Sequence, residues 1–484
     1  MTKEQLQALA DIMAKPDKDP MYKRLSAILF SYIERGIIAA DEKLPPIRTL
    51  AGALGVNNVT VVNAYKLLEN RKAAYSIVGS GTYAAHLEPE FRTFMANTPR
   101  PKPNAAFFAA AERSAMIQFA NTSASVSLFP VEAFKAHFNE VLERDKGGAF
   151  GYEDSGGYTP LCAALCEAME MYGIKTNPER VQIVSGAQQG VDTIAKAMLL
   201  PNDSVIVENP TYYGAVGSFL SRGALVSAVP MQADGMDMNR LEILVRTNRP
   251  KLVYVMTSYQ TPTTASYSLE KKRALLMLAS KYDFYIVEED NQGDFYFGDK
   301  PNLPLKALDN KNRVIYIKSF SKILMPGLRL GFMLLPKAVQ EQVAAAKYTT
   351  DVETSGFIQR AFTLFIQSGG WSGHIAKMRG IYKARYDEML AASNRYLAGR
   401  MAFAPPNGGL NLWYTLDKRV SAAALSERLA QVGVIVTPGA LFSLHGEELP
   451  NIRLSFANVE VGRIAVGIEK IAVAFDAALG YNNP

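Results

Sequence analysis

The chain of 484 residues carries 52 basic and 46 acidic side chains, a net charge of +6, and 48% hydrophobic residues. That length favours two or three domains, and that apolar share supports ordinary buried cores and excludes disordered and collagen-like classes. Two cysteines, Cys162 and Cys166, and four scattered histidines, His86, His137, His374 and His445, are too few for a disulfide framework and argue against a metal site. No window reaches the roughly 18 to 20 apolar residues of a membrane helix, the opening MTKEQLQALADIMAKPDKD lacks an apolar signal core, and a cytoplasmic protein is expected.

In chain order, Met21–Arg35 places Leu25, Ile28, Leu29, Tyr32 and Ile33 at helical spacing and stops at Gly36. Pro45-Pro46 opens a short helix over Ile47–Leu54, which ends before Gly55. Asn57 or Asn58 caps a third helix over Val59–Glu69. The stretch AAYSIVGSGTYAA then predicts a hairpin turning at Gly79-Ser80-Gly81. Three helices with a tight turn between the second and third, plus a hairpin, make a winged helix-turn-helix over residues 1–85. Residues 86–115 hold prolines 89, 99, 101 and 103, a stiff extended spacer, and the body runs over 116–484.

The LPPIRTLAGALGVNNVTVVNAYKLLE stretch and the GSGTY wing resemble the DNA-binding head of the GntR superfamily of bacterial regulators. The resemblance implies that the third helix enters the major groove, that the wing approaches the backbone, and that Arg48 contacts DNA. The polar side chains of that helix and its cap, Asn57, Asn58, Thr60, Asn63 and Lys66, are the candidates for reading an operator, since asparagine binds adenine bidentately. Arg71, Lys72, Ser80 and Thr82 are candidates for phosphates. The family often has arginines where this chain has Asn58 and Asn63, and residues 1–85 hold only eleven basic against eight acidic side chains.

The body alternates apolar strands with helices: VQIVSG, AQQGVDTIAKAMLL, DSVIVENP, TYYGAVGSFLSRG, KLVYVMTS, SLEKKRALLMLASKY, DFYIVEED, then RVIYIKSFSK and RLGFMLL. This rhythm predicts an α/β unit with a mostly parallel sheet covered on both faces. Ligands of such sheets bind outside the carboxyl ends of the strands. That rule selects Ser185–Gln188, Asn209–Tyr212, Ser258–Pro262, Glu289-Asp290 and Ser319–Lys322. A lysine just past a strand end, with an arginine seven residues on, suits an imine-forming amine beside an anion site; the Ser-Gly-Ala-Gln turn opening a helix suits a phosphate.

Together these motifs resemble fold type I pyridoxal-phosphate enzymes of the aspartate-aminotransferase class. The ordered set is FANTSASVSLFP at 119–130, SGAQQGVD at 185–192, ENPTYYG at 208–214, the SFSK lysine, PGLRLG, GGLNLW at 408–413 and IRLSFA at 452–457. With the GntR-like head, the multidomain chain resembles the MocR subfamily of regulators. The resemblance implies pyridoxal 5′-phosphate held as a Schiff base by Lys322. It also implies a phosphate cradle of Gly186, Ala187, Gln188, Ser319 and Arg329, Tyr212 stacked on the ring, and Thr261 nearby. Arg453 would clamp a substrate or effector carboxylate. Glu289 falls where an aspartate usually pairs with the ring nitrogen, with Asp290 as the alternative. Asn291 replaces a tyrosine, and Tyr259, Thr261 and Thr264 replace a histidine, an aromatic and a glycine. The expected function is a transcriptional regulator, a head-to-tail homodimer, that binds operator DNA and senses the cofactor or an amino compound. The alternatives are an authentic aminotransferase acting on a small amino acid, and a body that has lost the cofactor and only dimerises.

Overall fold

The computed structural model describes residues 3–13, 20–34, 37–39, 41–70, 73–77, 79–85, 116–444 and 446–480. It divides into two compact units, Met1–Ala96 and Asn97–Pro484. The stretch 86–115, read as a spacer, and the basic pair Arg71 and Lys72 lie outside the described residues.

The first unit holds α1 (Lys3–Met13), α2 (Met21–Glu34), α3 (Ile47–Leu54), α4 (Asn58–Asn70) and an antiparallel hairpin of β1 (Ala74–Ile77) and β2 (Gly81–Ala84). Leu25, Leu29, Leu50, Val61, Ala64 and Leu68 are fully buried and form its core. Helix α1 is absent from the sequence-based expectation of three helices; its Leu9 and Met13 are buried in the same core, with Leu6 packed against it. Between α3 and α4 the chain turns at Gly55, whose φ of +64° is a left-handed conformation that glycine adopts without steric penalty. The Asn57 side-chain oxygen accepts the Val59 N–H at 2.9 Å, so Asn57, of the two open choices, caps α4. The Tyr65 hydroxyl donates to the Pro45 carbonyl at 2.7 Å and ties α4 to the entry of α3.

The second unit opens with β3 (Ile117–Gln118) and carries an eight-stranded sheet in the order β4-β11-β10-β9-β8-β5-β6-β7. These strands are β4 (Val181–Val184), β5 (Ser204–Asn209), β6 (Leu225–Gln232), β7 (Gly235–Met236), β8 (Leu252–Val255), β9 (Tyr285–Asp290), β10 (Val314–Ser319) and β11 (Gly331–Leu334). The run β6-β5-β8-β9-β10 is parallel, β11 is antiparallel to both β10 and β4, and β7 is antiparallel to β6. The helices are α5 (Val131–Asp145), α6 (Thr159–Glu170), α7 (Ala187–Met198), α8 (Tyr213–Leu220), α9 (Met238–Asn248), α10 (Leu269–Tyr282), α11 (Leu305–Leu308), α12 (Lys337–Asp351), α13 (Gly356–Gln367), α14 (Gly370–Tyr396), α15 (Ala422–Gln431) and α16 (Val461–Ala478).

The strands read as unbroken apolar runs because both faces are covered. Ile206, Val253, Val255 and Ile286 pack with Leu241 of α9 and Leu275 and Leu278 of α10. Ile183, Tyr316, Phe332 and Leu334 join a second core with α6 and α14. Cys162 and Cys166 lie on α6 as buried, unpaired thiols. A smaller antiparallel sheet, absent from the sequence reading, follows in the order β12-β13-β16-β15, with β12 (Ala402–Phe403), β13 (Asn411–Thr415), β15 (Thr437–Pro438) and β16 (Asn451–Ser455). β14 (Val434–Ile435) pairs in parallel with β3, so the start of this unit is tied into its C-terminal lobe. Among the described residues no helix is long and apolar enough to cross a membrane.

Candidate functional site

The carboxyl ends of β4, β5, β9 and β10 and the small sheet surround one cavity of about 500 Å³. Its wall includes Gly186, Ala187, Gln188, Tyr212, Thr261, Glu289, Ser319, Lys322, Arg329 and Arg453, ten residues selected from the sequence and scattered along it from position 186 to position 453. The strand ends bring them together.

One end of the cavity is built for an anion. Helix α7 begins at Ala187 with its free backbone N–H groups at the wall. Gly186, at φ +98° and ψ 169°, allows that turn; a Cβ there would meet the Arg329 guanidinium at 3.0 Å. Arg329 donates to the Ser185 carbonyl at 2.5 Å, and Ser319 and Ser321 line the same region.

The Lys322 ammonium donates to the Thr122 hydroxyl. Burial, and then the nearby Arg453, push its pKa down to about 8, against an opposing pull from Glu289. Glu289 is buried and accepts from the Tyr254 hydroxyl at 2.6 Å and the Asn291 amide at 3.1 Å. Burial raises its pKa, while these two bonds and Lys322 oppose the rise. Gln292 donates to Thr261 Oγ1 at 3.0 Å and accepts from the Leu410 N–H at 2.8 Å, which joins the two sheets beside the cavity. Arg453 stands on β16, in register with Thr437 and Trp413. Its Nη2 donates at 2.6 Å to both the Ala120 carbonyl and Thr437 Oγ1, while its Nε is buried without a hydrogen-bond partner. Burial lowers its pKa to about 10.

Asp290 does not line the cavity. Successive strand residues face opposite sides, and with Glu289 on the cavity side Asp290 turns away. There it accepts from the Tyr316 hydroxyl at 2.6 Å and the Lys318 ammonium at 3.1 Å, and Lys318 reaches Asp294 at 2.8 Å. Of the two acids left open by the sequence, only Glu289 faces the site, which corrects the inclusion of Asp290 among its residues.

Lining residues absent from the sequence-based set include Thr122, Tyr213, Asn291, Gln292, Leu410, Thr437, Leu441 and Phe442. Thr122 lies within the FANTS segment, where nothing in the local pattern marks its hydroxyl as a partner of Lys322. Among the described residues no group of three His, Cys, Asp or Glu could hold a metal ion.

The residue chemistry fits a phosphorylated pyridine aldehyde. It offers a helix N-terminus with Arg329 for a phosphate, an amine of lowered pKa, a buried carboxylate, the aromatic Tyr212 and a buried arginine lacking an ion-pair partner among the described residues.

In the head, Arg48, Asn57, Asn58, Lys66 and Ser80 are exposed, and Thr60, Asn63 and Thr82 are half-buried. Two of the expected phosphate contacts bond within the hairpin: Ser80 Oγ lies 2.6 Å from the Tyr83 hydroxyl, and Thr82 Oγ1 lies 2.9 Å from Ser76 Oγ. Tyr75 and Tyr83 stack at 5.7 Å and stiffen the wing.

Residues 120–471 match the aminotransferase class I and II family, and residues 21–84 match the bacterial regulatory proteins of the gntR family. The chain belongs to the class I and II aminotransferases by its body, and a GntR DNA-binding head is fused in front of it. That pairing is the one found in MocR-type regulators. The probable rhizopine catabolism regulatory protein MocR of Rhizobium meliloti is 28% identical over 466 residues, 94% of each chain. Aromatic-amino-acid aminotransferase 1 of Thermococcus litoralis is 32% identical over 367 residues, 75% of this chain and 88% of that one. The crystal structure of Pyrococcus horikoshii kynurenine aminotransferase, in complex with PMP, superposes with a TM-score of 0.73 at 31% identity, covering 80% of this chain and 96% of that one. The cofactor of this fold is pyridoxal 5′-phosphate.

Proposed function

We propose that the chain is a transcriptional regulator whose head takes operator DNA and whose body, loaded with pyridoxal 5′-phosphate, senses an amino compound. What supports it is a single cavity gathering Lys322, Glu289, Arg329 and Arg453, in a chain that begins with a GntR head. Bound there, the cofactor supplies an electrophilic aldehyde and an electron-withdrawing ring. Gly186, Ala187, Gln188, Ser319 and Arg329 would hold its phosphate, Tyr212 and Thr261 would border its ring, and Glu289 would be the carboxylate available to the ring nitrogen. Lys322, with a pKa near 8, offers a usable fraction of free amine at neutral pH, and Thr122 aims that amine.

Arg453 sits on the small sheet, whereas Lys322 follows a strand of the large one. A ligand engaging both would tie the two lobes, and such a ligand shifts the regulator to the extent that it binds its two conformations unequally. In the head, Asn58, Asn63 and Lys66 read or approach bases while Arg48, Ser80 and Thr82 approach the backbone. A homodimer would set two heads on repeated half-sites.

The test is a gel-shift titration of the full-length protein on duplexes selected from a random pool, with and without pyridoxal phosphate and amino acids. A shift altered by these ligands is expected. Absence of any selected duplex, together with steady keto-acid production, would replace this proposal with an aminotransferase.

A further inference from the structure

Helix α4 of the head has two opposed faces. Val61, Ala64, Tyr65 and Leu68 are buried and form the face toward the head's core. At about 100° per residue, the face directly opposite carries Val59, Asn63 and Lys66, spaced i, i+4 and i+7. Asn63 and Lys66 are polar, as a solvated face requires. Val59 is not, yet it is 60% exposed, the most exposed large apolar side chain among the described residues of the head.

An isolated exposed valine is ordinary. This one is distinguished by where it stands and by how firmly it is held. It lies in the first turn of α4, the end of a recognition helix that meets base edges. The Asn57 side-chain oxygen accepts the Val59 N–H at 2.9 Å and the Asn57 carbonyl accepts the Thr60 N–H at 2.9 Å, so the cap fixes the backbone that carries the side chain. A β-branched side chain in a helix keeps essentially one χ1 rotamer, and an apolar contact made there costs little further ordering.

In the major groove the apolar group on offer is the thymine C5-methyl, while adenine presents the N6 and N7 pair that suits an asparagine amide. Val59 and Asn63 are separated by one helical turn, about 6 Å along the axis, and base pairs repeat every ~3.4 Å, so the two side chains address base pairs about two steps apart. From this we infer that Val59 is a specificity-determining residue that packs on a thymine methyl, and that the operator sets this thymine about two base pairs from an adenine taken by Asn63. The inference rests on the DNA-binding function proposed above and names part of the sequence which that function requires.

The experiment selects duplexes from a random pool with the full-length, pyridoxal-phosphate-loaded protein. The tightest is resynthesised with deoxyuridine in place of thymidine, one position at a time. That exchange removes a single methyl and leaves the phosphates and the hydrogen-bonding edges unchanged, so it separates the apolar contact from the salt-dependent part of binding. At one thymine position it should weaken the dissociation constant, read by gel shift, by about fourfold, the worth of one buried methylene-sized group. Val59→Ala, at an exposed site where alanine favours the helix, should bind the unmodified duplex more weakly by at least that factor and lose its sensitivity to that deoxyuridine, because the two changes delete the same contact. If deoxyuridine is neutral at every position, or if Val59→Ala keeps the full deoxyuridine penalty, the inference is overturned and the regulator stands. A pool selected with Asn63→Ala should keep the thymine and lose the adenine; retention of both would overturn the pairing of Asn63 with adenine. If no duplex is selected at all, the proposed function falls, and the inference falls with it.

Discussion

Lys322 should destabilise the cofactor-free protein, in a manner that depends on pH. Its ammonium loses hydration in the cavity and feels Arg453, so its pKa falls from an ordinary 10.5 to about 8. For a base whose folded pKa is depressed, the unfolded chain binds the proton more tightly. The penalty is therefore fully present below pH 8 and is relieved as pH rises from 8 to 10.5. The gap between those values corresponds to about 3 kcal/mol. Lys322→Met removes the charge and keeps the approximate length, so the cofactor-free variant should be more stable by about 3 kcal/mol at pH 7, with the gain vanishing near pH 10.5. Urea unfolding followed by tryptophan fluorescence isolates the effect, because both tryptophans, Trp371 and Trp413, lie in the body and none in the head. A gain that persists unchanged to pH 10.5 would mean better packing by methionine rather than a removed charge. No gain at pH 7 would refute the reasoning altogether.

Gly186→Ala forces alanine into a backbone region that is nearly glycine-only, a strain of about 1–3 kcal/mol, and presses Cβ against Arg329. Pyridoxal-phosphate affinity, read by equilibrium dialysis, should fall by about tenfold or more, since each factor of ten is about 1.4 kcal/mol; unchanged affinity would remove the turn from the phosphate site. Lys318→Met leaves Asp290 and Asp294 buried without their cation and should destabilise the body by about 3–5 kcal/mol, as a lowered urea midpoint. An unmoved midpoint would show that these acids had neutralised themselves. Asn63→Ala with Lys66→Ala should weaken the gel shift while leaving cofactor uptake unchanged; an unaltered shift would place the DNA contacts elsewhere.

Much of this architecture could be read from local pattern. Apolar runs such as Ile315–Ile317 and Val253–Val255 announce strands covered on both faces, and polar residues immediately after them fall where the cavity forms. Gly55 and the Asn57-Asn58 pair announce the turn of the head. What escaped depends on distant partners. Helix α1 is short and charged, and its Leu9 and Met13 gain meaning only against α2 and α3. Thr122 reaches Lys322 across 200 residues, and Thr437 meets Arg453 through a strand of two residues. No periodicity in so short a segment signals either pairing.

The adjacent acids on β9 illustrate the same limit most sharply. Glu289 and Asp290 carry the same charge, and a strand sends neighbours to opposite faces whichever one it assigns to the cavity. The assignment follows from β10, where Lys318 stands in register with Asp290 and carries a cation into the opposite core. Lys318, helped by the Tyr316 hydroxyl and the Gly293 N–H, holds Asp290 below the ordinary carboxylate range against its burial, and Asp294 shares the same cation. Glu289 is left with Tyr254 and Asn291 and a raised pKa, a carboxylate kept for the cavity rather than consumed by an ion pair. The two acids are thereby separated in role: exchanging Asp290 for asparagine should lower stability with little change in the spectrum of bound cofactor, whereas Glu289→Gln should alter that spectrum with little change in the urea midpoint. If instead Asp290→Asn moved the spectrum and Glu289→Gln did not, the facing of β9 argued here would be reversed.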